Sequence, residues 1–246
     1  MRLDVYLQEN GYAPTRSRAK AMIEGGMVEI DGKIIDKPSY DAKEGCNVRI
    51  LDTLRYVSRG GLKLEGALDA FGVSVNGRVA LDIGASSGGF TDCLLQNGAA
   101  YVYAIDSGTN QLAASLRSDA RVECREHCNA RYITPADFEK TPTLCVMDVS
   151  FISQTLILPA IAALLPDGGE LISLIKPQFE AGRSAIGKGG IVRAEKDREA
   201  AVARVITCAD ALSLLHLGTI LSPIRGGDGN IEYLAHFRKQ KKEGTV

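Results

Sequence analysis

The chain of 246 residues has no tryptophan and is only 6% aromatic, so broad stacking platforms for bases or sugars are scarce. It also has no excess of positive charge. Twenty-nine lysines and arginines stand against 30 acids, a formal net charge of −1. That balance weighs against a nucleic-acid partner unless the positive charge is gathered in one place. No apolar run approaches the ~18 residues that a membrane-spanning helix needs, and no secretory segment is evident. The six cysteines, at positions 46, 93, 124, 128, 145 and 208, form no C-x-x-C pair. Reduced thiols in the cytosol are the simplest expectation. Cys124, His127 and Cys128 lie close in sequence, but no fourth ligand stands near them and no metal is expected. The first glycine turn is not G-x-G-x-x-G, which weighs against a dinucleotide pyrophosphate. No Lys-Ser/Thr pair follows it, which excludes a P-loop.

What is present centres on residues 79–90. An apolar run, Val79-Ala80-Leu81-Asp82-Ile83, ends in Gly84-Ala85-Ser86-Ser87-Gly88-Gly89-Phe90, and a helical run continues to about Gln96. Strand, turn and helix follow one another with the backbone bare at the turn. Gly84 can take dihedrals closed to other residues, and Gly88 and Gly89 let a ligand or the helix come close. The next apolar run, Tyr101 to Ile105, closes on Asp106. An acid there is well placed to accept hydrogen bonds from a ribose. A nucleoside-bearing cofactor is therefore expected across the ends of these two strands. Asp82-x-Gly84-x-x-x-Gly88-Gly89 resembles the S-adenosylmethionine loop of class I methyltransferases. The bland alternative is an α/β unit whose glycines only make a tight turn.

The residues before this stretch read as a separate small unit. Arg2-Leu3-Asp4-Val5-Tyr6-Leu7 opens a short helix that Asn10-Gly11 ends. Thr15 can cap a second helix carrying Arg16, Arg18 and Lys20, closed by Gly25-Gly26. Met27 to Ile30 alternates as a strand, Asp31-Gly32 is a hairpin turn, Lys33 to Ile35 returns, and Cys46 to Ile50 is another strand. This pattern resembles the small RNA-binding domain shared by a small-subunit ribosomal protein and many pseudouridine synthases. The resemblance implies that the Arg16–Lys20 helix meets RNA phosphates, which position without reading bases. The bland alternative is a solvated basic face. A basic, glycine-tipped linker with Arg55 and Arg59 follows, and a helix is expected from Leu62 to Phe71 with Lys63 near its start. Positive charge is expected to gather on these residues and the tail, with the counter-charge facing away.

After Asp106 the α/β rhythm continues. Leu144 to Met147 is a buried strand ending at Asp148, and Glu170 to Ile175 one ending at Lys176. Gln178 to Ile191 reads as a mobile glycine-punctuated loop. A helix from Lys196 to Ala211 precedes strands at Ser213–Leu221 and Ile231–Phe237. A short glycine loop joins that last pair, so they should run antiparallel. Asp106, Asp148 and Lys176 thus sit at strand ends, which line one crevice in an open α/β sheet. Glu232 reaches its edge, and Lys63 could complete a set of two lysines and two acids. Such a set suits methyl transfer to a ribose hydroxyl, where a weak nucleophile must lose its proton. Each residue alone has a bland alternative as a surface ion pair at a sheet edge.

The resemblance becomes specific in four further segments. Asp148-Val149-Ser150-Phe151-Ile152-Ser153, Ile175-Lys176-Pro177-Gln178-Phe179-Glu180, Gly187 to Val192 and Gly227 to Glu232, with the Asp82 loop, resemble the TlyA family. That family joins the small RNA-binding domain to a methyltransferase domain akin to FtsJ. The resemblance implies an α/β, Rossmann-like class I methyltransferase with a mostly parallel seven-stranded sheet and an antiparallel last strand, preceded by a small α+β domain. It implies domains at 1–52 and 62–240, a linker at 53–61 and a tail at 241–246. It implies S-adenosyl-L-methionine as cofactor, held by Asp82, Gly84, Ala85, Ser86, Gly88, Gly89, Phe90 and Asp106. It implies Lys63, Asp148, Lys176 and Glu232 as the catalytic set, and Arg2, Arg16, Arg18, Lys20, Arg55 and Arg59 as RNA contacts. The expected reaction is 2′-O-methylation of cytidine in ribosomal RNA, with ribosomal RNA or subunits as partner in the cytoplasm. The large subunit is favoured, because the chain is short for the family and its linker Arg55-Tyr56-Val57-Ser58 departs from the Arg-Ala-Trp-Val form associated with dual specificity. A non-catalytic RNA-binding or assembly role is the alternative. Pore formation, suggested by the family's older name hemolysin, finds no support in hydropathy.

Overall fold

The computed structural model describes residues 1–51, 55–226 and 229–241. The chain divides into two units, Met1–Arg59 and Gly60–Val246. The expected domain boundary at residue 52, the start of the linker and the end of the tail lie outside the described residues.

The first unit holds α1 (Leu3–Glu9), α2 (Arg16–Glu24), β1 (Val28–Ile30), β2 (Lys33–Ile34) and β3 (Val48–Ile50). The Thr15 hydroxyl accepts the Arg18 N–H at 3.1 Å and so caps α2. Asp31 and Gly32 both take positive φ, 49° and 79°, so two residues suffice to turn the chain and Ile30 faces Lys33. β1 lies between β2 and β3, antiparallel to each. Leu3 and Leu7, four residues apart, give α1 one apolar face, and Ala19 and Ile23 do the same for α2. All four are fully buried in one core with Val28.

One acid is buried with them. Asp4 lies beneath Arg2 at 3.0 Å and Arg16 at 2.8 Å, both half-exposed. The hydrogen bonds from Arg2 hold its carboxyl well below the ordinary carboxylate range despite burial, and Arg16 adds to the effect. Arg59 likewise pairs with Asp36. The counter-charge therefore does not face away from these three arginines. A carboxylate sits under two of them because a buried acid needs a cation, and Arg2 before α1 and Arg16 at the start of α2 both reach it.

The second unit runs α3 (Gly60–Phe71), β4 (Val79–Ile83), α4 (Gly89–Gln96), β5 (Tyr101–Ile105), α5 (Ala114–Arg117), β6 (Val122–Arg125), β7 (Leu144–Met147) and α6 (Leu158–Leu164). It continues with β8 (Glu170–Ile175), α7 (Pro177–Glu180), α8 (Glu195–Ala211), β9 (Leu214–Leu221) and β10 (Tyr233–Lys239). The strands form one sheet in the order β6-β5-β4-β7-β8-β10-β9. β4 to β8 are parallel, and β10 is antiparallel to both neighbours. All four residues of β7 are fully buried, as are Leu171, Ile172, Leu174 and Ile175 of β8. Continuous burial is what a parallel strand covered on both faces requires. The chain leaves β4 through β5 and β6, then returns to the other flank of β4 as β7. The carboxyl ends of β4 and β7 therefore border a crevice at the reversal point.

Two segments differ from the sequence expectation. Residues 178–191 are not one loose loop: α7 begins on Pro177, and a 3₁₀ turn spans Arg183–Ala185. Pro177 suits a first helical turn, where no N–H is needed. Glu180, buried, ties this helix down by accepting from Ser153 Oγ at 2.6 Å and Gln154 N at 2.7 Å. The last strand runs later than its apolar run suggests. Arg238 pairs in register with Glu170 and Leu215, and Lys239 with Leu214, because β10 has a neighbour on each side.

Candidate active site

The crevice is shaped by the turn after β4. Gly84 has φ +82°, and a Cβ there would collide with the Asp148 carbonyl. Only glycine lets β4 pass so close to the end of β7. Gly88 has φ +97°, and its missing side chain is filled by Leu112 and Leu116. Close approach at Gly88 is therefore made by the protein's own leucines. Ser86, at φ +48°, turns its N–H onto Asp106 Oδ2 at 2.8 Å, and Gly108 N–H meets Asp106 Oδ1 at 2.7 Å. The carboxylate is thus fixed, and each oxygen keeps a lone pair for another donor.

A cavity of about 300 Å³ lies here, lined by Gly84, Ser86, Asp106, Asn129, Asp148 and Ser150 among others. Ala85, Gly88, Gly89 and Phe90 are not in its lining; Ala85, Gly88 and Phe90 are buried, and Gly89 opens α4. Asp82 is fully buried. Burial pushes its carboxyl up to about 7, against the pull of the Thr91 hydroxyl at 2.7 Å. Its Oδ1 is buried without a hydrogen-bond partner in the protein. An orphaned acid oxygen behind a glycine turn fits a ligand that brings its own donor or positive charge. The loop at the outer wall is held by Glu126. Burial would raise its carboxyl, but the N–H groups of Asn110 at 2.7 Å and Gln111 at 2.8 Å, with Arg117 at 2.7 Å, bring it to about 2. Sequence alone does not single out Glu126 or Asn129, since neither closes a recognisable motif.

The four expected catalytic residues form two ion pairs. Lys63, in the first turn of α3, reaches Glu232 Oε2 at 2.6 Å, and both are buried. Gly226 closes over that carboxylate, and a Cβ at this position would strike Glu232 Oε1. Lys176 meets Asp148 Oδ1 at 2.6 Å and donates to Ser150 Oγ at 2.8 Å. Register explains the second pair: β7 and β8 are parallel neighbours, and both residues follow their carboxyl ends. Beside them Phe151 is 93% exposed at φ +63°. A bulky residue with positive φ is strained, and such strain gathers at functional sites. The Phe179 ring lies 5.1 Å from it. Phe151 escapes a reading of the sequence because nothing in a single phenylalanine signals exposure.

In the first unit, Arg18 and Lys20 are exposed on α2, while Arg2 and Arg16 are shared with Asp4. Arg55 stacks over the Tyr56 ring at 5.4 Å, and Arg59 is held by Asp36.

A sheet of this order, with a glycine turn and an acid-tipped second strand at the reversal point, defines an S-adenosylmethionine-dependent methyltransferase of class I. Residues 56–239 match the FtsJ-like methyltransferase family, and residues 1–47 match the S4 domain, an RNA-binding module. Aeropyrum pernix fibrillarin, solved with S-adenosyl-L-methionine bound, shares the fold at 16% identity and a TM-score of 0.52, covering 79% of this chain and 80% of its own. The particular family follows from closer relatives: the chain belongs to the TlyA family. YqxC of Bacillus subtilis, named provisionally as an rRNA methyltransferase, is 51% identical over 238 residues, 96% of this chain and 85% of YqxC. The 16S/23S rRNA (cytidine-2′-O)-methyltransferase TlyA of Mycobacterium tuberculosis is 42% identical over 241 residues, 97% of this chain and 90% of its own. A solved structure from Streptococcus thermophilus, provisionally described as a hemolysin, is 48% identical with a TM-score of 0.77, covering 98% of this chain and 89% of its own. Among the described residues, no helix is long and apolar enough to cross a membrane.

Proposed function

We propose that this protein methylates the ribose 2′-hydroxyl of cytidine in ribosomal RNA, acting in the cytoplasm on ribosomal RNA or ribosomal subunits, with the large-subunit RNA as a substrate. The observation that carries the reading is the Lys176–Asp148 pair, whose Asp148 lines the same cavity as Asp106. Bound S-adenosyl-L-methionine would supply an electrophilic methyl group on sulfur. Asp106 is suited to its ribose hydroxyls, and the buried, unpaired carboxylate oxygen of Asp82 behind the turn would favour its cationic end. Lys176 presents a positive donor to the ribose oxygen as negative charge develops there, which lowers the barrier without help from solvent. Lys63 and Glu232 close the set. Phe151 offers an exposed ring to an unstacked base beside the reacting sugar.

The test gives purified protein and labelled S-adenosylmethionine to intact ribosomes, separate subunits and free ribosomal RNA. The RNA is digested and its nucleosides are identified by mass. The expected product is 2′-O-methylcytidine in large-subunit RNA. Label on a base atom, or no label on any ribosomal substrate while cofactor binds tightly, rejects the reading.

Two further outcomes separate the domains. Asp106→Ala should weaken S-adenosylmethionine binding by roughly 1.5–3 kcal/mol, the worth of hydrogen bonds to a charged acceptor. Unchanged affinity in calorimetry would remove Asp106 from the cofactor site. Replacing Arg16, Arg18 and Lys20 by alanine should flatten the salt dependence of RNA binding, by about one unit of slope for each phosphate no longer neutralised, with cofactor affinity unaltered. An unchanged slope means that α2 does not touch phosphate. Since Arg16 also serves Asp4, the Arg18/Lys20 double variant should show the effect without that complication.

A further inference from the structure

We infer that Ser150 is a positioning residue for Lys176, its hydroxyl fixing the rotation of the ammonium and so the directions of the N–H groups left for substrate. The inference rests on the proposed role of Lys176. A lysine ammonium carries three donors and no acceptor. Lys176 donates one N–H to Ser150 Oγ at 2.8 Å, while Asp148 Oδ1, 2.6 Å from the ammonium, holds it as an ion pair and takes no hydrogen bond from it. With the ion pair alone, which fixes no N–H direction, the group could spin about its Cε–Nζ bond and all three N–H groups would sweep a cone. The Ser150 hydroxyl, as a hydrogen-bond acceptor, removes that freedom. The two remaining N–H groups are then set in direction before the ribose oxygen arrives, which is how a preorganised donor contributes to catalysis. Asp148 and Ser150 both line the cavity.

The surrounding turn is built to keep Ser150 in place. The next residue, Phe151, holds a positive φ of 63°, and its ring packs on Phe179 at 5.1 Å, three positions after Lys176. Further along, Ser153 Oγ donates to Glu180 Oε2 at 2.6 Å and Gln154 N to Glu180 Oε1 at 2.7 Å. Phe179 and Glu180 both belong to α7, the short helix that Lys176 leads into. The turn after β7 is thus fastened to α7 at two points, and the Ser150–Lys176 hydrogen bond spans the same two segments. Ser150 itself is exposed, so its hydroxyl fills no core and its removal opens no cavity.

The experiment measures steady-state methylation of ribosomal RNA by the full chain. Ser150→Ala should lower kcat about tenfold, the loss expected for one hydrogen bond to a charged group at a wet site. The KM for S-adenosylmethionine, RNA affinity and the thermal midpoint should stay at wild-type values. Ser150→Thr, which keeps the hydroxyl, should recover most of the rate. A wild-type kcat in Ser150→Ala overturns the inference, as does a loss that threonine fails to rescue or one that appears only in KM. Lys176→Ala, run alongside, keeps the two levels apart. If it is inactive while Ser150→Ala is normal, only the positioning role falls. If it retains activity, the proposed mechanism falls first.

Discussion

Lys176→Ala is expected to abolish methyl transfer while cofactor and RNA still bind. Its ammonium stands 2.6 Å from Asp148 Oδ1 at the carboxyl end of the central strands, and both of its partners, Asp148 and Ser150, line the cavity. A donor aimed at charge that exists only in the transition state contributes to kcat and little to ground-state binding. Removing such a donor typically costs about 100-fold or more in kcat. The missing alkyl stem should disturb the fold little, because the Asp148 side chain is 21% exposed and removing the lysine opens its buried Oδ1 to water. Lys176→Arg should fail as well. A guanidinium is planar, spreads its charge, and cannot present one tetrahedral donor between Asp148 and Ser150. Single-turnover methylation with saturating RNA and labelled cofactor separates this from weakened binding. A rate within severalfold of wild type in Lys176→Ala would show that the chemistry runs elsewhere.

How far this site is legible in the sequence depends on which physical rule wrote each part. Strand ends are readable: Asp106, Asp148 and Lys176 each terminate an apolar run, and burial of parallel strands makes such runs continuous. The antiparallel last strand follows from loop length alone, and β9 and β10 pair that way. Contacts between distant segments are not readable. Nothing in local spacing says that Lys63 lies against Glu232, 169 residues away; only the family resemblance places them together. The role of Gly88 escapes for the same reason, since its neighbours Leu112 and Leu116 come from a different loop and helix. Residues 178–191 look loose because glycine and polar residues dominate them. What orders α7 is Glu180, whose partners Ser153 and Gln154 follow another strand. The basic face of α2 is visible in the sequence, but the buried acid beneath it is not. Asp4 reads as an ordinary solvent-facing residue of a short helix until Arg2 and Arg16 are seen closing on it.

Lys63→Ala should damage stability as well as activity, in contrast to Lys176→Ala. The side chains of Lys63 and Glu232 are only 11% and 2% exposed, at a separation of 2.6 Å. Asp148 can exchange its lysine for water, but Glu232 cannot, because Gly226 packs directly on its carboxylate. Removing the lysine therefore leaves a buried acid with no cation. Breaking a buried pair in this way costs about 3–5 kcal/mol. For a unit of this size, the midpoint of thermal unfolding should fall by roughly 10 °C. The double variant Lys63→Ala/Glu232→Ala removes both charges and should unfold above the single lysine variant, although it too is inactive. The expected order of midpoints is wild type, then the double variant, then Lys63→Ala. Calorimetry of the three proteins checks it, with S-adenosylmethionine absent so that ligand binding does not shift the transition. A single variant as stable as wild type would mean that Glu232 is hydrated in solution. An additive double variant would mean that the two side chains do not interact. Either result would leave Lys63 and Glu232 without the buried coupling that sets this pair apart from Lys176 and Asp148.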